Sequence, residues 1–253
     1  MAVSKESRKR AIERIRKQEA RRRRGRQLLI AAGGLVVAGG IAGAIVATTG
    51  GGAASNSSRA AQFASLSTLG TLQPAPAAGA AGPEAVPVPS AAPLIGTTTA
   101  ATGQTVDGIS CSTNEQTLFH IHAHLTVVVN GAPRQVPYGI GIPGAVTTST
   151  QAGAYVARGT CFYWLHTHAA DGIIHIESPV HRAFTLGDVF DEWGQPLGPD
   201  QVGPASGHVT AIYNGKVYRG NPRDIPLTAH AQIQLEVGTP LVAPESISFP
   251  SGL

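Results

Sequence analysis

The residues with most chemistry to offer are histidines. The chain of 253 residues has nine, and all lie beyond Val106. Six of them fall in alternating runs: His120-Ile121-His122-Ala123-His124, His166-Thr167-His168 and His175-Ile176-Glu177. Residues two apart in a strand share a face, so the first run sets three imidazoles in a row, the second two, and the third an imidazole beside a carboxylate. Neutral imidazole is a good ligand for zinc, copper, nickel and iron. Six imidazoles packed together without an ion would repel on protonation and leave donors idle. The spacing therefore predicts a divalent transition metal, zinc or copper, on His120, His122, His124, His166, His168, His175 and Glu177. His166, His168 and His175 form its core, joined by one or more of His120, His122 and His124, and Glu177 serves as ligand or as an acceptor orienting one. Two separate sites are the alternative, since six imidazoles exceed the four ligands tetrahedral zinc normally takes. Met1 is the single methionine, which excludes thioether-rich copper sites. His181, His208 and His230 stand alone and read as ordinary polar residues.

These residues need strands to position them. Phe119 to Asn130 alternates, with Phe119, Ile121, Ala123, Leu125, Val127 and Val129 as the apolar face. Asn130-Gly131 is a hairpin signal, with Gln135 to Ile142 as the expected return strand. Cys161 to His168 and Ile173 to Ser178 form a second pair around Ala169-Ala170-Asp171-Gly172. A loop of Ala169 to Gly172 pairs His166 with His175. A loop shorter by two sets His168 opposite His175. Both keep His166, His168, His175 and Glu177 on one face. His208 to Tyr213 and Lys216 to Arg219 flank Asn214-Gly215 as a third hairpin, and Ala229 to Val237 alternates again. Thr185 to Asp188 fits a capping box, followed by the stripe Leu186, Val189, Phe190 and Trp193 and ended by Gly194. The fold class is α+β: a mainly antiparallel sheet with one short helix. The helix and the strands around it resemble the second half of a β-grasp domain.

The rest of the chain sets location. Residues 1–26 carry twelve Lys/Arg and three Glu, a net charge of +9. Leu28 to Thr48 has no charge over 21 residues, about the length a helix needs to cross a bilayer. The expected order is a basic cytoplasmic arm at 1–26, a transmembrane helix at 27–49, and an extracytoplasmic remainder, by the positive-inside rule. A cleaved signal peptide is the main rival, but its apolar core runs to only about 7–15 residues. Arg23-Arg24 matches a twin-arginine export signal weakly, inside a run of four arginines. Residues 50–105, rich in Ala, Gly, Pro, Ser and Thr, read as a disordered tether, and 106–253 as the folded domain. Residues 27–253 hold seven basic and twelve acidic residues, a net −5. A nucleic-acid site in the folded domain is thereby excluded.

Cys111 and Cys161 lie on the outward side, where disulfides persist. Cys161 has the strand parity of Tyr163 and Leu165, opposite to His166 and His168, so thiolate ligation does not suit it. A disulfide is expected, closing a loop of about 50 residues and stabilising by ~4 kcal/mol.

His120 to His124, Trp164-Leu165-His166-Thr167-His168 and Gly172-Ile173-Ile174-His175-Ile176-Glu177-Ser178-Pro179 together resemble an uncharacterised group of exported bacterial and archaeal proteins. The likeness covers most of 115–237. It implies an outward-facing domain and carries no established activity. A His-x-His with a third His from a neighbouring strand also resembles the zinc arrangement of α-carbonic anhydrases, and His-x-His with Glu that of cupins, though neither full pattern is present. Three classes of function follow: a membrane-anchored metal-binding module, a metal-dependent hydrolase or hydratase with Glu177 or Asp171 as general base, and a structural envelope protein. The module is favoured, because ligands are visible and a substrate is not.

Overall fold

The computed structural model describes residues 62–96 and 99–253. The basic arm, the membrane helix at 27–49 and the first part of the tether lie outside them. Among the described residues no helix is long and apolar enough to cross a membrane.

One mixed sheet organises the domain. Its strands are β1 (Phe63–Ala64), β2 (Phe119–Val129), β3 (Ala132–Arg134), β4 (Leu165–His166), β5 (Ile173–Ser178), β6 (Val209–Tyr213), β7 (Lys216–Tyr218) and β8 (Ala231–Val237). They lie in the order β1-β7-β6-β8-β2-β5-β4, with β3 also paired to β2. All neighbours are antiparallel except β8 and β2, which run parallel from Ala231↔Ala123 to Val237↔Val129. Asn130 and Gly131 both take positive φ, as do Asn214 and Gly215, and these pairs turn β2 into β3 and β6 into β7.

Alternation sorts the two faces as expected. Ala123, Leu125, Val127, Ile174, Ile176, Ala231, Ile233 and Leu235 are buried in the main core. Helix α1 (Leu186–Trp193) contributes Leu186, Val189, Phe190 and Trp193 to that core. Thr185 caps it through the capping box, with Thr185 N–H donating to Asp188 Oδ2 at 2.8 Å, and Gly194 ends it in the left-handed conformation. Cys111 and Cys161 are joined in a disulfide with a Cα–Cα distance of 5.5 Å. Cys111 lies in a short strand paired to Phe162–Tyr163.

Two expectations need correction. Gln135 to Ile142 is not a return strand: β3 stops at Arg134. Gly141 has φ +69°, and a Cβ there would sit 2.1 Å from the Leu165 carbonyl oxygen, so the chain bends in against β4 instead. The tether is the larger correction. Residues 62–105, where described, are not an unpacked spacer. Phe63 of β1 packs on Tyr213 and Tyr218. Gln73 joins Leu241 and Ala243, and Leu94 bonds Gln135. Ala100 and Ala101 N–H reach the Trp193 and Glu192 carbonyls at the open end of α1. Val86, Leu94 and Ala101 are buried. The composition is too poor in large side chains to fold alone, but a finished sheet and helix offer it unpaired backbone groups and grooves.

Candidate metal centre

β2, β5 and β4 are neighbours, so their outward faces align. His122 pairs with His175 and His120 with Glu177. His166 pairs with His175, the register of the four-residue loop. Four donor atoms close a ring. His120 Nε2 lies 3.1 Å from His122 Nε2, and His122 Nε2 lies 3.1 Å from His175 Nδ1. Glu177 Oε1 completes it at 3.5 Å from His175 Nδ1 and 3.1 Å from His120 Nε2. All four residues offer donors within 4.8 Å of one another. Tetrahedral ligands on bonds of about 2.0–2.1 Å stand about 3.3 Å apart, so the ring has the dimensions of a ligand set. It makes a poor hydrogen-bond network, because the single proton or lone pair of His122 Nε2 cannot serve two ring nitrogens at once.

His166 and His168 are aimed by the backbone. Thr167 between them is clamped to the bent loop, its N–H donating to the Ile140 carbonyl and its hydroxyl to the Pro137 carbonyl. His166 Nδ1 donates to the Tyr163 carbonyl at 2.9 Å and His168 Nδ1 to the Val156 carbonyl at 2.6 Å. These bonds select the tautomer that leaves each Nε2 with a bare lone pair, the usual preparation of a metal-binding imidazole. His166 Nε2 is fully buried and has no partner. Val156 belongs to the hairpin Val146–Thr150 and Gly153–Arg158, and its neighbour Tyr155 stacks on His168 at 5.0 Å. His166, His168 and His175 form a second group with donors within 4.8 Å, and Glu115, His166 and Glu177 a third.

His124 departs from the expected row. It has the right parity, but its Nε2–H donates to the Asp171 carbonyl at 2.8 Å. Gly172 permits this: it has φ +85°, and a Cβ there would come within 3.0 Å of the ring. Among the described residues no group of candidate ligands includes His124.

Glu84 was missed by the sequence reading. A tight turn from Ala80 to Val88 carries it onto the site, where His175 Nε2–H donates to its Oε1 at 2.7 Å. Its Oε2 is buried without a partner. The signal was available, since Glu84 is the single acidic residue between 50 and 105. Glu115 was also missed, and its Oε1 lies 3.4 Å from His168 Nε2.

The protonation pattern suits a metal. Burial, then the nearby charge on His175, lowers the His122 pKa to about 3. Burial followed by His175 also lowers His168, and holds His166 well below the ordinary value. These three are neutral at pH 7. Burial pulls His175 the same way, but its bonds to Glu177 and Glu84 outweigh it and raise the pKa to about 9. Burial and the charge of Glu84 raise Asp171 to about 7.

No protein-family model matches the chain, and no curated protein or solved structure matches it significantly. Function must therefore be argued from the site itself.

Proposed function

We propose that the protein is a membrane-anchored, extracytoplasmic metal-binding module that takes zinc or copper on His120, His122, His166, His168, His175 and Glu177. The observation that carries this is the closed ring of three imidazole nitrogens and one carboxylate oxygen, with edges of 3.1–3.5 Å. The fixed tautomers of His166 and His168 support it, because both hold an unprotonated nitrogen toward the group. The donor set of imidazoles and carboxylates suits a borderline divalent ion. The anchor would be residues 27–49, with the +9 arm in the cytoplasm. The membrane and the ion are its proposed partners, with no nucleic acid on the folded domain. The strand order β5-β2-β8-β6-β7, with the parallel pair central, also supports the β-grasp likeness.

A hydrolase or hydratase is the second reading, and one feature favours it. A cavity of about 230 Å³ is lined by Asp171, His124 and Arg134. Asp171 Oδ2 is buried and unpartnered. A bound ion would supply an activated water, and Asp171 would take its proton.

The test is metal retention by the full-length chain after loading and gel filtration. The parent should keep zinc or copper, His122→Ala/His175→Ala should lose it, and the exposed-site variant His208→Ala should keep it. A parent that emerges metal-free, or a double variant that holds metal as tightly, would refute the reading. Protease added to intact cells should remove the domain and spare the arm. A domain found only in the cytosol would reject the topology.

A further inference from the structure

The donors exceed what one ion uses. Tetrahedral zinc normally takes four ligands, and the ring of His120, His122, His175 and Glu177 already supplies four. His166 and His168 stand outside that ring. Their Nδ1 atoms are committed to carbonyls, so only Nε2 remains to each. His166 Nε2 has no partner, in a residue 0 % exposed. His168 Nε2 meets only Glu115 Oε1, at 3.4 Å. A buried lone pair without a donor is costly, and a lone pair set against a carboxylate is worse. Satisfying both needs a cation on that side as well. On the same side, the buried Glu84 Oε2 is a second orphaned acceptor.

The two groups meet at His175. Its Nδ1 looks at His122 and Glu177, and its Nε2 looks at Glu84. The centroid of its ring lies 4.6 Å from that of His122 and 4.6 Å from that of His168, its plane nearly perpendicular to both. A single imidazole therefore belongs to both groups of candidate ligands, with Nδ1 turned to His122 and Nε2 to Glu84.

Resting on the metal-binding reading above, we propose that the centre is dinuclear. One ion is held by His120, His122, His175 Nδ1 and Glu177. The second is held by His166, His168 and His175 Nε2, closed by the carboxylates of Glu84 and Glu115. His175 is the ligand in common. To hold both ions His175 gives up both ring protons, the one on Nδ1 and the one Nε2 now donates to Glu84; both leave to solvent, and the Glu84 carboxylate so released becomes a ligand. Glu115 and Glu177 flank His166 from the two halves, with donors of all three residues within 4.8 Å.

The experiment is copper loading of the full-length chain, read by metal content per chain and by electron paramagnetic resonance. Each isolated Cu²⁺ carries one unpaired spin. Ions that share a ligand couple, and their combined signal falls well short of two spins. The parent should saturate at two coppers with that deficit. His168→Ala and His122→Ala should each hold one copper with one full spin. Saturation at a single copper, or at two coppers showing two full spins, would overturn the dinuclear centre and leave the metal-binding reading standing. Failure of the parent to bind any copper would overturn the dinuclear centre, and failure to retain zinc as well would sink the metal-binding reading with it. The parent measurement needs no variant, so a variant that fails to fold does not spoil the test.

Discussion

The outward face of the sheet carries two polar rows, and they are satisfied in opposite ways. On β8 the row is Gln232, Gln234 and Glu236. The C-terminal segment runs across it and gives it backbone donors. Ile247 N–H bonds Gln232 Oε1 at 2.9 Å, Glu245 N–H bonds Gln234 Oε1 at 2.9 Å, and Val242 N–H bonds both Glu236 oxygens at 3.1 Å. On β2, β5 and β4 the row is His120, His122, His175, Glu177 and His166. Among the described residues no chain segment lays backbone donors across it. Its side chains face one another, and Glu177 Oε2 and His166 Nε2 are buried without partners. The same alternation built both rows. Native structures rarely leave buried polar atoms unpaired, so the second row is the candidate place for a bound ion.

That contrast can be broken at several points. The largest effect is expected from His175→Ala, which removes the residue common to both ligand groups. Stoichiometric metal binding should disappear by equilibrium dialysis, with the Cys111–Cys161 disulfide still formed by mass spectrometry. Glu84→Ala should weaken binding by about 10–100-fold, the usual cost of losing the group that orients a metal-bound imidazole. Unchanged affinity would show that the turn carrying Glu84 is irrelevant to the site. Glu236→Ala strips the acceptor from a buried N–H and should cost ~1–3 kcal/mol of stability in denaturant titration, with metal stoichiometry intact. Loss of metal in that variant would mean the two rows are not independent.

Protons sharpen the same contrast. At pH 7.5 His122, His166 and His168 are already neutral, whereas His175, raised to about 9, is charged. The first equivalent of metal should therefore release about one proton, measurable by calorimetry in buffers of different ionisation heat. Stability of the metal-free chain should also depend on pH. His122, with a folded pKa of about 3, and His124, with one of about 4, lie below the ordinary 6.5. The unfolded chain then binds protons first, and stability is lost as the pH falls below about 6.5. His175 works the other way: its contribution is present below about 6.5 and lost as the pH rises through about 9. Asp171, raised to about 7, opposes the lowered histidines over the same range, so with Asp171→Asn in place thermal unfolding of the metal-free chain should move to lower temperature between pH 7 and pH 5. An unchanged midpoint in that variant would contradict the burial of these rings. The smallest effect is expected from His124→Gln, which should leave metal stoichiometry as it is.

Much of the site was legible because strand alternation is a local property. Phe119 to Val129 could bury its odd-numbered residues in only one way, and that choice sets His120 and His122 on the outer face. The four residues Ala169 to Gly172 set the register of His166 on His175. Alternation does not say what a side chain finds once it is on its face. His124 has the parity of His122 and ends on a backbone carbonyl, because Gly172 leaves room for its ring. Nor does composition reveal where a weak segment docks. Residues 62–105 lack the apolar mass to fold alone, yet two exceptions to that composition, Phe63 and Glu84, are the ones held by the aromatic side chains at β6–β7 and by the histidines. The parallel pairing of β8 with β2 was equally hidden, since it joins strands more than a hundred residues apart.

β1 is the outermost strand on the edge of the sheet away from β4, and it is also the first described strand of the chain. Under the anchored reading, tension between envelope and membrane enters through it. Phe63 and Ala64 pair with Tyr218 and Val217 by two residues only, so the pull would unzip this pair a few bonds at a time rather than shear a long strand. The next attachments in line are Gln73 on Leu241 and then Glu84 on His175. A mechanical load on this segment would thus reach the histidine cluster in sequence, drawing one carboxylate away from it before the longer strand pairs of the sheet are loaded.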